Sequence, residues 1–141
     1  MITQDLIDSV KLGEGFSRTA YRCPTNRLTI GYGRCIDPEE PGCGITEDEA
    51  IYLLERDLVR FAEDAERVVG PEVWSWLSQR RRDVLTELAF NMGPANLAKF
   101  KKMLSAIAQE DYETGAAELL NSRYAQQVGQ RAERLAKRLR G

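Results

Sequence analysis

The sequence predicts an α+β protein whose strands are segregated into a small hairpin region near the N terminus, with helices elsewhere. From Thr46 to Val69 the apolar residues Ile51, Leu54, Leu58, Phe61, Ala65 and Val68 recur at spacings of three and four, the signature of a long amphipathic helix. Ahead of it, Tyr21-Arg22 and Leu28-Thr29-Ile30 flank the polar turn PTNR, which reads as a β-hairpin. Behind it, Gly70-Pro71 and Gly93-Pro94 cut the chain into shorter helical patterns. A length of 141 residues suits one domain that buries a real core.

Each element has a local reason. Residues 3–12 place Leu6, Ile7 and Val10 on one side, with Thr3 as N-cap and Gly13 as the stop, so Glu14 is expected just beyond a helix C terminus. Gly31 and Gly33 around Tyr32 predict a bend or a close backbone approach. Asp37 to Gly44, DPEEPGCG, is a loop by composition. ITEDEA then opens the long helix through a capping box of Thr46 and Glu49, with Ile45 set to staple onto Ala50. PEVWSWL reads as a short helix whose Trp74 and Trp76 are core residues, and Ser78 caps the next through Val84, Leu85, Leu88, Ala89 and Met92. The remainder, through Phe100, Leu104 and Ile107, then Tyr112 to Leu120 and Arg131 to Arg140, is helical in short pieces. The expected division is a β-rich lobe over about 14–45, an inter-lobe helix over about 46–69 and a helical lobe over about 70–141, with a cleft between the lobes.

Composition removes several chemistries. The net charge of −2 hides eleven acids against two bases from Asp37 to Glu66, and five bases against one acid from Gly129 to Gly141. The basic end reads either as a solvated helix face or as a surface that meets an anionic polymer. Arg80-Arg81-Arg82 reads as a helix surface, and the acidic balance argues against nucleic-acid binding. There is no histidine, which excludes Ser/His and Cys/His catalysis in their usual forms and His-ligated zinc. Three cysteines without a CxxC pair, and no phosphate-binding loop, leave no metal or cofactor expected. The start, MITQDLIDSVKLGEG, lacks a basic n-region and is interrupted by Asp5 and Asp8, so it does not read as a signal peptide. No window approaches the roughly 18 apolar residues of a membrane span, and a soluble cytosolic origin is expected. Cys35 and Cys43 can pair across the Pro/Gly-rich loop in an oxidising compartment.

The segment GEGFSRTAYRCPTNRLTIGYG, residues 13–33, contains a single acid, Glu14, and no other follows until Asp37. A carboxylic acid can protonate a leaving oxygen near neutral pH when apolar surroundings disfavour the carboxylate. Phe16, Tyr21 and Tyr32 supply apolar and aromatic neighbours without a competing acid. Cleaving a glycosidic bond also needs a second group, to hold or deprotonate water or to act as nucleophile. Cys23 and Thr29 are the groups this stretch offers, although many hairpins carry an acid, a thiol and a threonine.

The pattern of Glu14, eight residues, Cys23, five residues, Thr29, then Ile30-Gly31-Tyr32-Gly33, resembles the phage-type lysozymes, muramidases of bacterial peptidoglycan. The likeness continues through ITEDEA and its helix, Phe90-Asn91-Met92-Gly93, Ser122-Arg123-Tyr124 and Gln130-Arg131-Ala132-Glu133-Arg134. It implies a lysozyme-like fold and hydrolysis of the β-1,4 bond between N-acetylmuramic acid and N-acetylglucosamine, without metal or cofactor. Glu14 would be the general acid, Cys23 would fill a slot often held by Asp, and Thr29 would help place a water attacking from the opposite face, with inversion. Arg131 would pair with Glu14, and Tyr32, Phe90 and Asn91 would line the sugar sites. Cys23 either becomes a thiolate in a local field or mainly positions water. Arg34 stands where relatives often carry His, so no structural His–carboxylate pair is expected there. The resemblance further implies an endolysin that waits in the host cytoplasm until a holin gives access to the periplasm; a monomer is the default expectation. The nearness of Cys23 to Cys35 and Cys43 in sequence predicts that a disulfide involving Cys23 would inhibit. The rivals are a non-catalytic relative that binds peptidoglycan or a partner, and a lytic transglycosylase leaving 1,6-anhydro ends.

Overall fold

A computed structural model describes residues 1–141. The chain divides into two compact units, Met1–Ile51 and Tyr52–Gly141. The first holds α1 (Gln4–Glu14), an antiparallel sheet of β1 (Ser17–Arg22), β2 (Leu28–Gly31) and β3 (Arg34–Cys35) in the order β1-β2-β3, and the start of α2 (Glu47–Val69). The α+β class, with a small sheet segregated from the helices, is the one expected.

Thr3 caps α1 as predicted, its hydroxyl accepting the Leu6 N–H at 3.2 Å. The stop differs. Gly13 stays helical, and Gly15, at φ +70°, turns the chain and donates its N–H to the Lys11 carbonyl at 2.9 Å. Glu14 is therefore the last helical residue rather than the first one beyond the helix.

The PTNR hairpin closes in a defined way. The Asn26 N–H donates to the Cys23 carbonyl (2.8 Å), and the Cys23 N–H donates to the Arg27 carbonyl (3.0 Å). Asn26 takes φ +64°, a left-handed conformation that asparagine tolerates. This is the three-residue hairpin loop in which a turn is completed by a left-handed residue, with Pro24 at the turn position that favours proline. Asp37, only 7% exposed, anchors the region: it accepts from the Leu28 N–H (3.0 Å), the Glu39 N–H (3.1 Å) and the Arg22 guanidinium (2.8 Å). The Leu28 N–H first, then the Glu39 N–H and Arg22, hold its carboxyl below the usual range. A disulfide joins Cys35 to Cys43 across the loop, Cα atoms 5.2 Å apart, and leaves Cys23 as the free thiol.

The capping box forms as expected: the Glu49 N–H donates to the Thr46 hydroxyl (3.2 Å), and the Thr46 N–H donates to the Glu49 carboxylate (3.0 Å). Arg34 meets the same carboxylate through both terminal nitrogens, at 2.9 and 2.7 Å. Arg34 first and Thr46 second bring the Glu49 carboxyl down to about 2.

The second unit continues α2 and adds α3 (Pro71–Trp76), α4 (Gln79–Met92), α5 (Pro94–Leu97), α6 (Lys101–Ala108), α7 (Tyr112–Leu120), α8 (Arg123–Val128) and α9 (Gln130–Arg140). Val84, Leu85 and Leu88 of α4 meet Leu97, Met103, Ile107, Leu119, Leu135 and Leu139 in a fully buried core. Trp74 packs against it, whereas Trp76 is 40% exposed, because the short α3 has only one face toward the core. The arginine run is also more than a surface. Arg81 donates to the Leu139 (2.8 Å) and Arg140 (2.7 Å) carbonyls and lies 3.5 Å over the Tyr112 ring, while Arg82 donates to the Trp74 and Ser75 carbonyls, both at 2.8 Å. No helix is long and apolar enough to cross a membrane.

Leu88→Ala should destabilise the protein by about 2–5 kcal/mol, against about 0.5 kcal/mol or less for Leu12→Ala at an 89%-exposed site, in chemical denaturation. Because the Asp37 carboxyl is depressed, its stabilisation is present above the ordinary aspartate value and lost as pH falls through the folded value. Asp37→Asn should therefore lower the thermal midpoint at about pH 7, and the gap from wild type should shrink toward about pH 2.

Candidate active site

Three elements of the first unit bring three of the expected residues together. Glu14 ends α1, Cys23 opens the β1–β2 turn, and Thr29 lies in β2, paired with Tyr21 of β1 and Cys35 of β3. All three line one cavity of about 470 Å³, with Gly13, Tyr21, Pro24, Thr25, Arg27, Gly33 and Cys35.

Thr29 is buried, at 4% exposure, and its hydroxyl donates to the Arg27 carbonyl at 2.9 Å. With its own hydrogen committed, that oxygen is left as an acceptor for a water hydrogen. The Cys23 sulfur lies 3.0 Å from the Thr25 hydroxyl. That contact first, and the Arg27 backbone next, bring the thiol from 9.0 down to about 7 against a smaller opposing effect of burial. A thiol lowered in this way ionises more readily near neutral pH than a free cysteine. Thr25 and Arg27 were not singled out in the sequence; the polar turn that holds them was its only signal.

Tyr32 lies outside that lining. Its ring centroid is 5.5 Å from that of Phe16, and the Lys11 ammonium lies 5.4 Å from it. Phe16 is itself 64% exposed, so the two rings form an exposed aromatic surface.

In the second unit, Phe90 stands edge-on to Phe61, centroids 5.4 Å apart, and lines a groove of about 770 Å³ with Leu54, Leu58, Val59, Trp74, Glu87 and Arg131. Asn91 is exposed near the end of α4 and lies outside this lining. The Arg131 guanidinium donates to Glu87 at 3.1 Å, and Arg138 approaches Glu87 at 3.8 Å and Asp83 at 3.6 Å. Glu87 escaped the sequence reading because its partners lie far along the chain. The i,i+4 spacing of Asp83 and Glu87 on α4 was the available signal.

Iodoacetamide modification of Cys23, followed by mass spectrometry without reductant, should rise with pH around a midpoint of about 7. Thr25→Val should move that midpoint up, because the replacement removes the hydroxyl that lowers the thiol most.

A family profile described as phage lysozyme matches residues 11–140. The pre-baseplate central spike protein of Enterobacteria phage T4 is 38% identical over 97 residues, covering 67% of this chain and 16% of that protein. A probable T4-type lysozyme of Dictyostelium discoideum is 23% identical over 158 residues, covering 95% of this chain and 92% of its own. An endolysin of Bacillus phage B103 is 30% identical over 121 residues, covering 84% of this chain and 44% of the endolysin. The chain thus spans a small part of the spike protein, less than half of that endolysin and nearly all of the Dictyostelium lysozyme. With the profile match running over nearly its whole length, the chain belongs to the phage lysozyme family of glycoside hydrolases.

Proposed function

We propose that this protein is an endolysin that hydrolyses the β-1,4 bond from N-acetylmuramic acid to N-acetylglucosamine in bacterial peptidoglycan, with inversion, and so lyses the host cell. The observation that carries this reading is the cavity shared by Glu14, Cys23 and Thr29. Glu14 gives its proton to the leaving glycosidic oxygen. A water on the opposite face of the sugar donates one hydrogen to the Thr29 oxygen and loses the other to the Cys23 thiolate as it attacks the anomeric carbon. A thiol brought down to about 7 supports the base role for Cys23.

Arg131 pairs with Glu14 and orients it, while Tyr32, Phe90 and Asn91 line the sugar sites. Residues 1–141 act as one monomeric catalytic domain, with no metal or cofactor. The protein is made in the host cytoplasm and reaches the periplasm and its peptidoglycan through a holin-dependent opening of the inner membrane. The relatives named endolysins support the lytic role. Cys23, a thiol where the resemblance implies a carboxylate, favours a second reading, a non-catalytic relative that binds peptidoglycan or a partner.

Reducing-end release from purified Gram-negative peptidoglycan separates these readings. The wild type should release hydrated N-acetylmuramic acid ends, first in the α-anomeric form by NMR, and Glu14→Gln should lower the rate by about 10²–10⁴-fold. No release by the reduced, folded wild type would establish the binding reading, and 1,6-anhydro ends would make it a transglycosylase.

A further inference from the structure

Gly31 ends β2, and Tyr32 and Gly33 follow it in the turn to β3, across which Ile30 pairs with Arg34. Both glycines have positive φ, +68° and +81°, so an L side chain strains the backbone at either one. What lies beside them differs. A Cβ on Gly31 would meet nothing within 4 Å. A Cβ on Gly33 would lie 2.8 Å from Glu14 Oε2, 3.0 Å from Cδ and 3.3 Å from Cγ. The carboxyl end of Glu14 therefore rests against the face of Gly33 where any other residue carries its side chain.

We propose that Gly33 is a positioning residue for the proton donor: its bare Cα is the seat of the Glu14 carboxyl, and a side chain there displaces the acid. The proposal rests on the reading of Glu14 as general acid. The atoms that would collide with a new methyl group belong to the free end of a flexible side chain, so the fold can accommodate the change by moving the carboxyl. To reach ordinary contact it must shift by roughly half an ångström or more. Proton transfer requires the donor within about 2.6–3.2 Å of the accepting oxygen, and a misplacement of about 1 Å costs on the order of 10²-fold in rate. The sequence pattern Ile-Gly-Tyr-Gly thus contains two glycines with different tasks: Gly31 serves the turn, and Gly33 serves the turn and the acid.

The test compares Gly33→Ala with Gly31→Ala, which share the backbone strain and differ in the Glu14 contact. Thermal midpoints of both variants should fall by similar amounts. The kcat of Gly33→Ala should fall on the order of 10²-fold with KM little changed, and that of Gly31→Ala should stay within about threefold of wild type. The Glu14 carboxyl resonance, observed by ¹³C NMR and assigned with Glu14→Gln, should move in Gly33→Ala and stay in Gly31→Ala. Equal losses of kcat in the two variants, or an unmoved resonance in Gly33→Ala, would overturn the proposal. Should either alanine variant fail to fold, Gly33→Asn and Gly31→Asn repeat the comparison with a residue that tolerates positive φ. Full turnover by Glu14→Gln would instead refute the reading of Glu14 as the acid, while the carboxyl resonance would still report whether Gly33 seats that side chain.

Discussion

The carboxylate of Asp37 sits where three separate pieces of chain meet. It takes the N–H of Leu28, which begins β2, the guanidinium of Arg22, which ends β1, and the N–H of Glu39 in the following loop. One buried anion thereby fixes both stems of the hairpin turn against the loop that follows. A buried carboxylate is costly unless its lone pairs are filled, and here both oxygens have donors. Cys23 and Thr29 inherit their positions from this arrangement: the first follows Arg22, and the second follows Leu28. Arg34 and Glu49 perform a comparable task where the sheet meets the start of α2. The hairpin whose turn carries the thiol and whose second strand carries the hydroxyl is thus held by charge-assisted contacts more than by apolar burial, since β1 has no buried residue.

The chemistry of the cavity follows from what surrounds each polar atom. A hydroxyl whose hydrogen is committed to a carbonyl behaves as an acceptor, as Thr29 does toward Arg27. A thiol beside a hydroxyl becomes a better anion, as Cys23 does beside Thr25. Neither effect requires a histidine or a metal, which fits a chain with no histidine at all. The second unit uses its charges differently. Arg81, Arg82, Arg138 and Arg140 each meet a backbone carbonyl or a carboxylate of the same unit, so much of the arginine run and of the basic C-terminal stretch holds the fold, and Arg131 meets Glu87 there as well.

Local signals were legible and distant ones were not. The α2 cap could be read because Thr46 and Glu49 lie three residues apart and satisfy one another. The hairpin turn could be read because Pro24 and Asn26 suit its backbone. Gly13 and Gly15 were harder to separate: both can end a helix, and which one turns left-handed depends on what the chain does next. The long-range partners of Arg81 and Arg131 lie on helices far away in sequence, and spacing within one helix carries no record of them. The same holds for the cavity. Its three polar residues could be listed from the sequence, but the contacts of Thr25 with Cys23 and of Gly33 with Glu14 depend on how two turns bend.

Arg81 also bears on how the second unit moves. The last turn of a helix ordinarily frays, because its carbonyls have no partner within the helix. In α9 two of those carbonyls, on Leu139 and Arg140, are taken by a guanidinium 58 and 59 residues upstream, itself stacked on Tyr112 of α7. Opening the last turn therefore means breaking contacts that begin on α4 and rest on α7. The last turn of α9 is coupled to the cooperative unit around the core, and its amides should exchange with the slow population of that unit.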